Sequence, residues 1–221
     1  MVHRLRLGPV PCIALTPDNP AGAVVLVHGY GGCKDEMLGL AVRAAERNLA
    51  AYAIDLRGHG ASPGSMDASL ASDVEVALTH ARHFGSVAAI GHSLGGRLAL
   101  DSSADFVIGI SPALASSYGT RTRTLLGAAR DGRVRQSGTG VVFATLAGLP
   151  PFQPRPDRPA RLLYGSRDVP EIAAACRWWA ERGVPTVEIE GARHADICVL
   201  ERTFDDVERT LAAWFSLGRL D

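Results

Sequence analysis

Apolar runs of strand length alternate along this chain with segments of helical period. Residues 21–29 and 50–56 are nearly continuous apolar runs, which is typical of strands buried on both faces of a sheet. Residues 3–7 and 10–15 flank a Gly-Pro turn and predict an antiparallel hairpin that opens the sheet. The alternation predicts βαβ units and a mostly parallel sheet with helices on both faces. Further strands are predicted at 86–91, 106–111, 160–165 and 185–190, and helices at 35–48, 67–84, 94–104, 170–182 and 199–216.

The alternation stops between Pro112 and Pro159. This stretch, called the lid segment below, carries several arginines, a Gly-rich turn and a proline-rich end, and it is too long for an ordinary connection. We expect it to pass over one end of the sheet. The whole chain, residues 1–221, has the length of a single domain with one continuous core.

Charge and composition exclude several classes of protein. The 23 basic and 23 acidic residues balance, and the arginines are scattered, which argues against a nucleic-acid-binding or anionic-lipid-binding protein. No window approaches the roughly 18 apolar residues that a membrane span requires. The first fifteen residues lack the apolar core of a secretory signal, so we expect a cytoplasmic protein.

The cysteines give no sign of a metal site. Cys12, Cys33, Cys176 and Cys198 lie far apart, and none has the spacing of a metal-binding motif. We expect buried free thiols and neither a metal nor an organic cofactor.

The motif Gly-His-Ser-Leu-Gly-Gly at 91–96 joins a predicted strand to a predicted helix. Glycines around Ser93 suit a sharp turn, because larger side chains would collide with the adjacent strand and helix. Such a turn exposes the serine hydroxyl beside the positive end of a helix dipole. The alternative is a glycine-rich turn with an incidental serine; its position favours Ser93 as a nucleophile.

A serine nucleophile needs a base, and the base needs a carboxylate. His194 follows the last predicted strand, whose carboxyl end lies at the same sheet edge as Ser93. Asp168 follows the strand at 160–165 and is the predicted acid, with Glu171 as its nearest rival. The chain order serine, acid, histidine is that of the hydrolase fold. The remaining histidines are expected to lie on the surface (3, 80 and 83) or to hold glycine-rich turns (28, 59 and 92).

Two backbone N–H groups are candidates for stabilising an oxyanion. The amide of Leu94 follows the nucleophile, and the amide of Tyr30 lies in the His-Gly-Tyr-Gly-Gly loop after an early strand. The same loop could also be a simple tight turn.

These motifs resemble the α/β-hydrolase superfamily over nearly the whole chain outside the lid segment. The resemblance is carried by HGYGG at 28–32, DLRGHGAS at 55–62, GHSLGG at 91–96, YGSRD at 164–168 and GARH at 191–194. The segment at 55–62 is similar to that of small esterases, monoacylglycerol lipases and serine aminopeptidases. The resemblance implies an eight-stranded, mostly parallel sheet with the site at its carboxyl edge.

Family members often carry a helical cap where this chain has the lid segment. Its size predicts one short helix plus loops, and hence a shallow, open pocket that favours small soluble esters. Phe143, Leu146 and Phe152 are candidates for an apolar wall.

The function expected is hydrolysis of carboxylic esters of small to medium acyl chain through an acyl enzyme. Thioesterase and aminopeptidase or amidase activity use the same residues and stay open. An aminopeptidase needs acidic lid residues for the substrate amine, and only Asp131 and Asp157 are available. A non-catalytic ligand-binding module is a further alternative, and the oligomeric state is open.

Overall fold

The computed structural model describes residues 1–136, 138 and 140–218. Within them, eight strands form one sheet: β1 (Val2–Leu7), β2 (Val10–Leu15), β3 (Ala23–Val27), β4 (Ala50–Ile54), β5 (Val87–His92), β6 (Phe106–Ile110), β7 (Ala160–Arg167) and β8 (Thr186–Arg193). Their order is β1-β2-β4-β3-β5-β6-β7-β8. β2 runs antiparallel to both β1 and β4, and the other neighbours are parallel. The predicted hairpin and mostly parallel sheet are confirmed.

Helices cover both faces of the sheet. They are α1 (Leu38–Glu46), α2 (Leu70–Ala81), α3 (Leu94–Asp101), α4 (Thr120–Arg130), α5 (Val141–Gly148), α6 (Pro170–Ala180) and α7 (Glu201–Trp214). Val25 and Val27 of β3 face a core that contains residues of α2 and α3, whereas Val24 and Leu26 face a core that contains residues of α1 and α7. Every residue of β3 is therefore buried, which explains its continuous apolar sequence.

Two strands extend beyond their predicted ends. β7 was predicted to end at Gly165 and β8 at Glu190, but they reach Arg167 and Arg193. A register irregularity between Gly165 and Arg167 lets the pairing continue beyond the apolar run. As a result, Asp168 and His194 each follow directly on the last residue of a strand.

The lid segment contains two helices, so the prediction of one short helix is wrong. α4 carries arginines, threonines and small residues that hide any helical apolar pattern, yet arginine, leucine and alanine all favour helix. α5 is apolar on nearly all sides and buries Val142 and Phe143. Together the two helices roof the carboxyl edge of the sheet more fully than the sequence suggests.

The four cysteines are free thiols. Burial, predicted for all four, is confirmed for Cys12 and Cys176, whereas Cys33 and Cys198 are partly exposed. In the described part of the chain, no helix is both long and apolar enough to cross a membrane.

Candidate active site

Ser93 lies on a strained turn between β5 and α3. Its φ is 54° and its ψ is −114°, and a positive φ is uncommon for residues other than glycine. A Cβ on Gly91 would lie 2.1 Å from the Gly95 carbonyl oxygen, and one on Gly95 would lie 2.3 Å from the Val27 carbonyl oxygen. Both glycines are thus required for the close packing of helix and strand that holds Ser93 in place.

We expect Gly95→Ala to destabilise the protein by about 3 kcal/mol, because its methyl group would overlap rigid backbone atoms. Gly148→Ala is the matched control, since a Cβ there meets no atom within 4 Å. Urea unfolding of the two variants beside the parent measures the difference. An equal free energy of unfolding for both variants would show that the turn is not tightly packed.

The structure brings the three predicted side chains of the triad together. The Nε2 atom of His194 lies 3.0 Å from Ser93 Oγ, and its Nδ1 atom lies 2.8 Å from Asp168 Oδ1. The Asp168 side chain is fully buried, whereas that of His194 is 25% exposed. With an ionised Asp168, the proton of a neutral imidazole resides on Nδ1, and Nε2 is free to accept the Ser93 proton.

Asp168 is held by several donors besides His194. The hydroxyl of Ser111 donates to Oδ2, and the Val169 amide donates to Oδ1 over 2.7 Å. Burial acts to raise the pKa of Asp168, but the hydrogen bonds from His194 and Ser111 outweigh it and keep the pKa below its ordinary value. The carboxylate therefore stays ionised inside the protein.

Ser111 was not singled out by sequence reasoning. It follows β6 with a φ of 45° and is fully buried, and β6 pairs with β7, which ends next to Asp168. Its position at the carboxyl end of a strand was the available signal.

His92 supports the loop of His194. The centroids of the two imidazole rings lie 4.8 Å apart, and His92 Nε2 lies 2.9 Å from the His194 carbonyl oxygen. Burial and the neighbouring imidazole lower the pKa of His92 to about 3, so the ring is neutral and its Nε2–H donates. Burial also lowers the pKa of His28. Its Nδ1 atom lies 2.7 Å from the Gly29 carbonyl oxygen, and its Nε2 atom accepts a hydrogen bond from the Leu56 amide.

These neutral histidines predict that acid destabilises the fold. Between pH 6.5 and about 3 the unfolded chain binds a proton that half-buried His92 does not, so the free energy of unfolding falls by up to about 1.4 kcal/mol per pH unit. We expect His92→Gln to flatten this slope in urea unfolding between pH 7 and 5. His3→Gln, on the exposed edge strand, is the control. A slope in His92→Gln equal to that of the parent would contradict the assignment.

The two predicted oxyanion amides adjoin Ser93. Leu94 opens α3, and Tyr30 follows Gly29, where an added Cβ would lie 3.2 Å from Ser93 Cβ. Apart from the hydrogen bonds internal to helices and strands, the amides of Tyr30 and Leu94 donate to no described backbone or side-chain group. The Tyr30 hydroxyl lies 2.6 Å from Asp131 Oδ1, which ties the loop to the lid segment.

Ser93, Leu94 and His194 open into a cavity of about 940 Å³. The sequence predicted a shallow pocket beside one short helix, whereas residues of both α4 and α5 line this cavity. Phe143 and Leu146 line it, whereas Phe152 lies in a neighbouring cavity of about 670 Å³ that shares this wall. The apolar wall of the cavity is formed by Tyr30, Ala113, Tyr118, Leu125, Leu126, Ala129, Val142, Phe143, Leu146, Val169 and Ile172.

Glu171, the rival acid, also lines the cavity. Its Oε1 accepts a hydrogen bond of 2.8 Å from the Gly119 amide, and the Thr122 hydroxyl lies 3.1 Å from both carboxylate oxygens. Asp168, and not Glu171, contacts the histidine.

The sheet and the site at its carboxyl edge define a protein of the α/β-hydrolase class. A model of the Alpha/beta hydrolase family matches residues 24–165, more than half of the chain, and the chain belongs to this family. No curated protein matches it in sequence.

Similar solved structures agree on the fold. An esterase of Pyrobaculum calidifontis is 18% identical with a TM-score of 0.68, covering 98% of this chain and 85% of the esterase. A monoacylglycerol lipase of Paleococcus ferrophilus is 20% identical with a TM-score of 0.65, covering 97% and 98% of the two chains. A carboxylesterase structure of Nitrososphaera gargenis is 17% identical with a TM-score of 0.68, covering 98% and 99%.

Proposed function

We propose that the protein hydrolyses carboxylic esters of small to medium acyl chain through an acyl enzyme formed on Ser93. The observation that carries this proposal is the chain of contacts from Asp168 through His194 to Ser93, with N–O distances of 2.8 and 3.0 Å. Both distances lie within the range over which a proton is transferred between a nucleophile and its base.

The proposed reaction begins when Ser93 Oγ attacks the ester carbonyl while His194 Nε2 takes its proton. Asp168 stabilises the resulting imidazolium. The amides of Tyr30 and Leu94 donate to the oxyanion of the tetrahedral intermediate. His194 then protonates the leaving alcohol, and in the second half of the cycle it activates the water that releases the acid.

The cavity supports an apolar acyl group or alcohol. Its volume of about 940 Å³ and its largely apolar wall suit a small-molecule ligand. The solved structures with this fold include an esterase, a monoacylglycerol lipase and carboxylesterases. An aminopeptidase is less well supported, because the carboxylate of Glu171 is already bound by Gly119 and Thr122.

Turnover of 4-nitrophenyl esters from acetyl to palmitoyl tests the proposal. We expect the highest kcat/KM at short to medium chains. The same protein is then assayed with acyl thioesters and aminoacyl anilides at equal concentration. If the protein hydrolyses a thioester or an anilide but no ester, the ester proposal is wrong and the protein is a thioesterase or an amidase. If it hydrolyses none of these substrates, the remaining interpretation is a ligand-binding module.

We expect Ser111→Ala to lower kcat/KM for the best ester by about tenfold, because a buried charge loses a hydrogen bond. The loss raises the pKa of Asp168, so the carboxylate is protonated, and activity is lost, at a higher pH than in the parent. Ser102→Ala, which removes a buried serine that bonds only to backbone far from the site, is the control. An unchanged pH profile would assign Ser111 a purely structural role.

A further inference from the structure

Three arginines converge on the cavity that contains Ser93. Arg167 and Arg193 are direct register partners on β7 and β8, and they immediately precede Asp168 and His194. Arg121 lies on α4 in the roof of the same cavity. All three side chains are exposed and line the cavity.

None of these three arginines forms an ion pair with a described carboxylate. A fourth arginine of the cavity, Arg130, is different, because it lies 3.7 Å from Glu36. The two carboxylates of the described lining are hydrogen-bonded to other groups. Asp168 contacts His194 and Ser111, and Glu171 contacts the lid segment. The cavity thus holds more cationic groups than its own carboxylates neutralise.

The pairing of Arg167 with Arg193 needs an explanation. Like charges at opposite positions of neighbouring strands destabilise a sheet. Among the described residues, Arg4 of β1 also forms no ion pair, so the absence of a partner alone carries no weight. What distinguishes Arg167 and Arg193 is that they are register partners beside the acid and the base and line the same cavity.

We propose that the leaving-group half of the ester carries an anionic group, a carboxylate or a phosphate, that Arg167 and Arg193 bind together with Arg121. This inference rests on the proposed ester hydrolysis and names its substrate class. His194 must protonate the leaving oxygen, so the alcohol lies towards His194 and hence towards Arg193. Guanidinium groups bind carboxylates and phosphates through two parallel hydrogen bonds.

A matched pair of esters tests this proposal. 4-Nitrophenyl butyrate and 3-carboxy-4-nitrophenyl butyrate have the same acyl group and differ by one carboxylate on the leaving group. Their kcat/KM values are normalised to their spontaneous hydrolysis rates. We expect the parent protein to prefer the anionic ester by about tenfold, and the preference to decrease with added salt.

The double variant Arg167→Gln/Arg193→Gln is expected to show a normalised ratio near one, whatever its turnover of the neutral ester. Arg4→Gln, on the opposite edge strand, is the matched control and is expected to keep the parent ratio. Equal efficiency of the parent towards both esters, or a preference that survives the double substitution, would overturn the proposal. Benzoate and phenyl phosphate, used as competitive inhibitors, distinguish a carboxylate from a phosphate group.

A binding measurement separates this proposal from the proposed function. If the parent turns over neither ester, ester hydrolysis fails, and calorimetry in a Ser93→Ala background then compares the affinities for the two intact esters. Tighter binding of the anionic ester that is lost with Arg167→Gln/Arg193→Gln supports the anion site by itself. Equal affinities would overturn it.

Discussion

Ser93→Ala is expected to lower kcat for ester hydrolysis at least about 10⁴-fold, because the acyl enzyme can no longer form. Residual turnover would come only from the oxyanion amides and from substrate binding. Alanine retains the backbone of the turn, so we expect the unfolding temperature to stay close to that of the parent. Steady-state turnover of the best 4-nitrophenyl ester and thermal unfolding measure the two quantities.

Ser117→Ala, an exposed serine of the lid segment, is the control for this loss and is expected to keep full activity. A Ser93→Ala protein that retains more than a tenth of the parent activity would show that another group attacks the ester. A parent without turnover whose ligand affinity is unchanged by Ser93→Ala would instead identify a binding module.

The second large effect is expected for Asp168→Asn, which should lower kcat about 10³- to 10⁴-fold. The amide that replaces the carboxylate can donate to His194 Nδ1, and this hydrogen bond favours the imidazole tautomer with its proton on Nε2. That tautomer cannot accept the Ser93 proton, although the contact between residue 168 and His194, 2.8 Å in the parent, is retained. We therefore expect this large loss of turnover in a protein that is still folded.

Glu171→Gln is the informative partner of this variant, because Glu171 is the other carboxylate of the cavity. We expect it to cost less than about tenfold in kcat, since its contacts are to Gly119 and Thr122. A larger loss for Glu171→Gln than for Asp168→Asn would reverse the assignment of the acid.

The sheet could be predicted because burial on both faces leaves a direct mark on the sequence. The fully buried β3 and β4 are continuous apolar runs, and the glycines at 91 and 95 mark the turn that holds Ser93. The positions of Asp168 and His194 followed from the strands that precede them. Each of these features depends on local sequence alone.

What the sequence did not predict depends on contacts between distant segments. Ser111 is an ordinary serine until β6 pairs with β7 and places it against Asp168. The ends of β7 and β8 were missed because the strands continue past their apolar cores, and the pairing of Arg167 with Arg193 was missed with them. The leucines of α4 face the cavity, so their role is visible only once the cavity is known.

Covalent labelling by a fluorophosphonate is a direct test of the nucleophilic role of Ser93. Intact mass and fragmentation of the tryptic peptide 83–97, which contains Ser86 and Ser93, identify the modified residue. We expect one adduct per chain, on Ser93, which forms much more slowly in His194→Ala. An adduct on another residue, or ester turnover that persists in protein fully labelled elsewhere, would contradict it.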